Sequence, residues 1–129
     1  MKQYGLNLGI AFQMVDDTLD YVSDNRKFGK SLWKDLQGGK ITLPLIHALQ
    51  GAAEDERRII SDSLSRAEPD TGDAQRILQL INKYHGADYA FGRAREYVSR
   101  AVDNLGEVSS IPVKEALTAA ASYVVEREW

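Results

Sequence analysis

The chain has no cysteine. A disulfide framework and a thiolate metal centre are therefore both excluded, and the composition suits a reducing compartment. Basic excess is lacking as well. Lysine and arginine number 16 against 19 aspartates and glutamates, a formal charge of −3, so the clustered positive surface of a nucleic-acid binder is not expected. No apolar run approaches the roughly 20 residues of a membrane span. Leu6 to Val15, preceded by Lys2, has the look of a short signal sequence, but it runs into aspartates without a small-residue cleavage site. Strand patterning is missing too, since no stretch alternates apolar and polar residues with a period of two. These absences leave a soluble, cytoplasmic, all-helical protein as the expectation.

What remains is a 129-residue chain with 43% apolar residues, enough for one modest core or a piece of a larger one. A single all-helical domain over residues 1–129 is expected. Its first helix covers Gln3 to Val22. Gly5 and Gly9 weaken that helix by about 1 kcal/mol each relative to alanine, and their spacing suggests the close approach of a neighbouring helix or ligand. A loop from Asp24 to Lys40 follows, in which Gly29, Gly38 and Gly39 permit positive φ or tight approach to an anion. Thr42 is the expected N-cap of a helix running to Gly51, with Pro44 in its first turn, where the missing donor costs nothing. The next helix opens on Glu54, Asp55 and Glu56 and stops near Pro69. Asp73 should cap a helix ending at Gly86. Another then runs to Gly106, burying Ala87, Ala90, Phe91, Ala94, Val98, Ala101 and Leu105. Ser109-Ser110-Ile111-Pro112 opens the last helix, with Val113, Ala116, Leu117, Ala120 and Val124 facing inward.

The most informative stretch runs from Gly5 to Lys40. Its helix is apolar, yet Gln13, Asp16, Asp17, Asp20 and Asp24 line one side at helical spacing. Buried carboxylates without compensation are too costly to keep. Downstream, Arg26, Lys27, Lys30, Lys34 and Lys40 are spread through the glycine-rich loop. A divalent cation carrying phosphate oxygens satisfies both sets at once. Asp16 and Asp20 stand one turn apart with Asp17 beside them, hard oxygen ligands suited to Mg²⁺, which takes one or two carboxylates plus substrate phosphates. Structural zinc wants histidine or thiolate instead. Lys30 and Lys40, each following a glycine, supply point charges for a diphosphate leaving group. A DDxxD by itself is more often a solvated helix face. The apolar surroundings and the basic loop set this one apart.

The run Gly5-x-x-x-Gly9-x-Ala11-Phe12-Gln13-x-x-Asp16-Asp17-x-x-Asp20 resembles the second aspartate-rich motif of the trans-isoprenyl (polyprenyl) diphosphate synthases. Gly29-Lys30, Lys34-Asp35-Leu36 and Gly39-Lys40-x-Thr42-Leu43-Pro44-Leu45-Ile46 continue that pattern in order and spacing. The overall look is of the octaprenyl diphosphate synthase kind. The resemblance implies an all-α, antiparallel helical bundle, the C-terminal portion of the isoprenoid synthase fold, around a deep apolar cavity and usually in a homodimer. It also implies the reaction. An allylic diphosphate ionises to a carbocation, isopentenyl diphosphate attacks through its double bond, and a proton is lost. By the same resemblance Asp16 is the main Mg²⁺ ligand, with Asp17 and Asp20 assisting. Lys30 and Lys40 grip the allylic diphosphate. Phe12 and Gln13 border the substrate pocket, Gln13 by hydrogen bonding near the reacting centre.

Two departures stand against that pattern. The first aspartate-rich motif and the basic isopentenyl-diphosphate motif of such enzymes have no counterpart: Glu54-Asp55-Glu56 has the wrong spacing, and Asp70 with Asp73 falls in an expected turn. Trp33 also stands where those enzymes often have a glycine. The chain therefore reads as the C-terminal half of a prenyltransferase, inactive alone, whose uncovered apolar faces promote a homodimer or higher self-association. The alternatives are a non-catalytic helical interaction protein that retains the motif, or a subunit that completes its site with another chain. His47 reads as packed or surface-lying, and His85 as a helix-end residue whose charge suits the dipole. Tyr84, Tyr89, Phe91 and Tyr97 read as core or dimer contacts, and Arg93, Arg95 and Arg100 as a solvated face. Arg127, flanked by acids, is not expected to reach the diphosphate.

Overall fold

The computed structural model describes residues 1–22, 36, 38–39, 41–65 and 72–126, with the side chains of 20–22 and 74 set aside. Among the described residues there are six α-helices, one 3₁₀ turn and no strand, so the chain is all-α. The helices are α1 (Lys2–Val22), α2 (Leu43–Gly51), α3 (Glu54–Leu64), α4 (Asp73–Lys83), α5 (Gly86–Asp103) and α6 (Ile111–Glu126), with the 3₁₀ turn at Asn104–Glu107. None of the described helices is long and apolar enough to cross a membrane. Contacts group the chain into two compact units: Met1–Asp16 with Ala90–Trp129, and Asp17–Tyr89.

In the unit Asp17–Tyr89, α4 packs against both α2 and α3. The core is Leu36, Leu45, Ala48, Ala52, Ile60, Ile77, Leu80 and Ile81. Full burial of Leu45, Ile77 or Ile81 contributes roughly 1.5–3 kcal/mol each before ordering entropy is subtracted. Helix α2 starts as its sequence suggests, with Pro44 in the first turn and Thr42 at the N-cap in extended backbone, although no side-chain cap bond forms. At the start of α3 the N-cap is Ala53, which has no side-chain oxygen to offer. Only the return half of a capping box exists, the Ala53 N–H donating to Glu56 Oε1 at 3.0 Å.

Two expected helix ends are corrected here. Gly72, not Asp73, is the N-cap of α4. Asp73 is wholly buried one residue inside, where it accepts from Ser63 Oγ and Arg76 Nη1, both at 3.0 Å. A carboxylate taken out of water needs such donors, and here they tie the end of α3 to the start of α4. The second correction concerns Gly86. The left-handed turn that ends α4 is made by His85, at φ 55, while Gly86 already begins α5. Gly86 is glycine for a different reason: a Cβ there would lie 2.3 Å from the Pro44 carbonyl oxygen.

In the other unit, Tyr4 and Ala11 of α1, Ala90, Ala94, Val98 and Ala101 of α5, and Leu105 are buried at helical spacing. Tyr4 Oη donates to the Leu117 carbonyl at 2.7 Å, and Asn7 Nδ2 donates to Asn104 Oδ1 at 2.9 Å. The expected inner face of the last helix is also corrected. Ala121 and Val124 are buried and Leu117 is half-buried, whereas Val113, Ala116 and Ala120 are exposed. Helix α6 is apolar on most of its circumference, so its periodicity could not single out the side that its neighbours cover.

Candidate functional site

The aspartate motif lies on α1, whose buried positions Ala11, Val15 and Thr18 fix which side turns outward. Phe12, Gln13 and Asp16 are exposed, and Asp17 is half-buried. Asp20 belongs to the same helix, one turn after Asp16. Asp16 therefore does not require the compensation that a buried carboxylate needs. It stands in solvent, and what α1 presents is an accessible carboxylate beside an exposed aromatic ring and an amide. Among the described side chains no group of three histidines, aspartates or glutamates is placed to hold a metal. The side chain of Asp20 is not among those described.

Lys30 and Lys40 lie outside the described residues, as do Asp24, Arg26, Lys27, Trp33, Lys34, Asp70 and Arg127. The backbone on both sides of Lys40 is described. Gly39 takes φ 91 with nothing within 4 Å of a would-be Cβ, so the glycine serves the turn itself. Its N–H donates to the Leu36 carbonyl at 3.1 Å, and the Ile41 N–H donates to the Gly39 carbonyl at 2.9 Å. Leu36 is buried in the core and anchors this turn. Gly39 thus takes the positive φ that its residue type permits, shortly before α2 begins. Gly39, Ile41, Ile46, Leu49, Gln50 and Arg57 line a shallow depression of about 610 Å³ beside it. Arg57 is committed to the end of α2, donating to the carbonyls of Leu49 and Gln50 at 2.8 and 3.2 Å.

A polar cluster that sequence spacing did not reveal joins α3 to the end of α4. Glu56 accepts from Tyr84 Oη at 2.5 Å, from Lys83 Nζ at 3.0 Å and from the Ala53 N–H. The Tyr84 hydroxyl above all, then the Ala53 amide and Lys83, hold the Glu56 carboxyl down to about 2. The same hydrogen bonds push Tyr84 and Lys83 up. A carboxylate with three donors is spoken for, so the cluster is a clamp between helices rather than an acid or base. It rims a cleft of about 320 Å³ floored by Ile59, Ile60 and Leu80. Its partners are 27 and 28 residues apart, beyond any helical spacing that could have flagged them.

Tyr84, Phe91 and Tyr97 are half-buried and Tyr89 is exposed. Tyr89 is 41% exposed and stacks on His47, with ring centroids 4.0 Å apart and planes 8° from parallel. Tyr97 lies under the guanidinium groups of both Arg93 and Arg100, at 5.6 and 4.7 Å, so these two arginines are not simply solvated. Arg93 also pairs with Glu96.

Residues 1–81 match the family model of the polyprenyl synthetases. The chain is 37% identical over 129 residues to the geranylgeranyl diphosphate synthase of Saccharolobus solfataricus, covering 98% of this chain and 39% of that protein. Identity to the octaprenyl diphosphate synthase of Haemophilus influenzae is 33% over 129 residues, covering 100% of this chain and 39% of the relative. A polyprenyl synthase from Caulobacter crescentus CB15, solved with calcium and isoprenyl diphosphate, matches the fold with a TM-score of 0.81 at 33% identity, over 98% of this chain and 39% of that one. The chain therefore spans 39% of the length of these relatives. Family model, sequence relatives and fold agree with the motifs between Gly5 and Ile46, and on these grounds the chain belongs to the polyprenyl synthetase family, the trans-isoprenyl diphosphate synthases.

Proposed function

We propose that this chain supplies the C-terminal half of a prenyltransferase that condenses an allylic diphosphate with isopentenyl diphosphate. The observation that carries the reading is the exposed placement of Asp16, one turn before Asp20, on a helix inside the stretch matched by the family model. Asp16, with Asp17 and Asp20, would hold Mg²⁺, since a donor set made only of carboxylates suits a hard cation. When bound, the ion supplies positive charge to the diphosphate oxygens. Lys30 and Lys40 grip the allylic diphosphate and draw off charge as the carbon–oxygen bond opens. Phe12 and Gln13 border the substrate pocket, Gln13 by hydrogen bonding near the reacting centre. The calcium and isoprenyl diphosphate bound to the Caulobacter crescentus relative support this class of ligand. The lack of cysteine supports a cytoplasmic setting.

One aspartate helix does not enclose a carbocation, so the chain alone is expected to be inactive. Association with a second copy, as a homodimer or larger assembly, would cover exposed Leu6, Ile111, Val113 and Tyr123. Those same apolar side chains favour a second reading, a non-catalytic helical interaction protein that keeps the motif. Mixing the chain with the complementary N-terminal portion of a relative and following labelled isopentenyl diphosphate separates the two. Incorporation that depends on the mixture and vanishes with Lys30→Ala supports the enzyme. Absence of incorporation in a mixture that forms a stable complex supports the interaction protein.

A further inference from the structure

The start of α2 rests on the start of α5 with no side chain between them. Gly86 is buried there, and a Cβ would stand 2.3 Å from the Pro44 carbonyl oxygen and 3.0 Å from its carbonyl carbon. Three residues along each helix, the rings of His47 and Tyr89 stack in parallel. Because Tyr89 is 41% exposed, core burial does not account for this pair. Stacked rings have a specific geometry, so the contact fixes orientation more than it adds apolar area. Backbone bonds lead from that turn to the loop before it. Ile46 N–H donates to the Thr42 carbonyl at 3.1 Å, and Ile41 and Gly39 donate to Gly39 and Leu36 as described above.

We infer that His47, Tyr89 and Gly86 are positioning residues for diphosphate binding. Their contacts fix the first turn of α2 and, through it, the backbone of Ile41 and Thr42, which follows Lys40 in the chain. This rests on the proposed role of Lys40. Slight displacement of a charged group from its ligand is costly in binding and in rate, so a contact remote from the phosphate can set affinity. The sequence motif ends at Ile46, and neither histidine nor tyrosine entered it. The two rings come together only through the fold.

The test uses the 129-residue chain with inorganic diphosphate and MgCl₂ as the probe. Calorimetry reads affinity, hydrogen exchange reads the amides of residues 39–46, and thermal unfolding reads stability. Gly86→Ala is set aside because its cost to the stability of the whole fold would mask a local effect. Tyr89→Ala and His47→Ala should speed exchange at these amides and weaken diphosphate binding roughly tenfold, a modest share of the loss that a full ångström of misplacement can cause. Their melting temperatures should stay close to that of the wild type. Tyr89→Phe, which keeps the ring, should restore both affinity and protection. Unchanged exchange in Tyr89→Ala overturns the inference, and so does faster exchange with wild-type affinity. A wild-type chain that takes up no magnesium diphosphate overturns the reading of the site and this inference with it. A wild type that binds, alongside variants that bind equally, overturns the inference alone.

Discussion

The Tyr84 hydroxyl donates to Glu56 Oε1 at 2.5 Å, and this bond is the chief reason the Glu56 carboxyl is held down to about 2 from 4.5. A folded-state pKa below the unfolded one means the native state binds this proton less readily. The resulting stabilisation is complete above the unfolded value and drains away as pH falls from 4.5 toward 2. Glu56→Gln should therefore melt below the wild type at neutral pH, with the gap closing through that acidic window. Thermal melts of both proteins across pH check this. A gap that persists unchanged at pH 2 would show that the charge on Glu56 is not what the clamp uses.

The glycines predict opposite outcomes. Gly86→Ala drives a methyl group into the Pro44 carbonyl, where backbone cannot step aside, and should cost about 3 kcal/mol, toward the upper end for overpacking. Gly9 has nothing within 4 Å of a would-be Cβ. Gly9→Ala should leave the isolated chain unharmed or more stable by up to about 1 kcal/mol, the helix-propensity difference. Chemical denaturation of the two variants decides between these signs.

Asp73 carries no solvent exposure and accepts from Ser63 Oγ and Arg76 Nη1. Asp73→Ala withdraws that acceptor from a hydroxyl that is itself 1% exposed, and should cost about 2–4 kcal/mol. Asp73→Asn keeps one acceptor oxygen and should cost less. Equal losses in the two variants, measured by denaturant titration, would mean that packing rather than hydrogen bonding is the larger part.

Much of this was legible in the chain. Helical spacing found α1 through α6, Thr42 and Pro44 marked the start of α2, and Gly39 takes the positive φ its type permits, because each acts through local backbone geometry. Faces were harder to assign. Val113, Ala116 and Ala120 look as inward-facing as Ala121 and Val124 when a helix is apolar nearly all round, and only its neighbours decide. Gly86 carried the usual mark of a helix end, yet its reason lies 42 residues away at Pro44. The Glu56 clamp and the His47–Tyr89 stack are tertiary events with no spacing signature. The aspartates of α1 were legible as a motif, but the solvent exposure of Asp16 was not, since it depends on which side Ala11 and Val15 bury.

Asp16 and Lys30 are proposed to serve one magnesium diphosphate site. Titrating inorganic diphosphate into the wild-type chain, with and without MgCl₂, tests this most directly. Binding should depend on magnesium and fall at least about tenfold in both Asp16→Ala and Lys30→Ala, as loss of a ligand carboxylate or of a charge-assisted contact should produce. Binding that is indifferent to magnesium, or equal in all three proteins, would contradict the shared site.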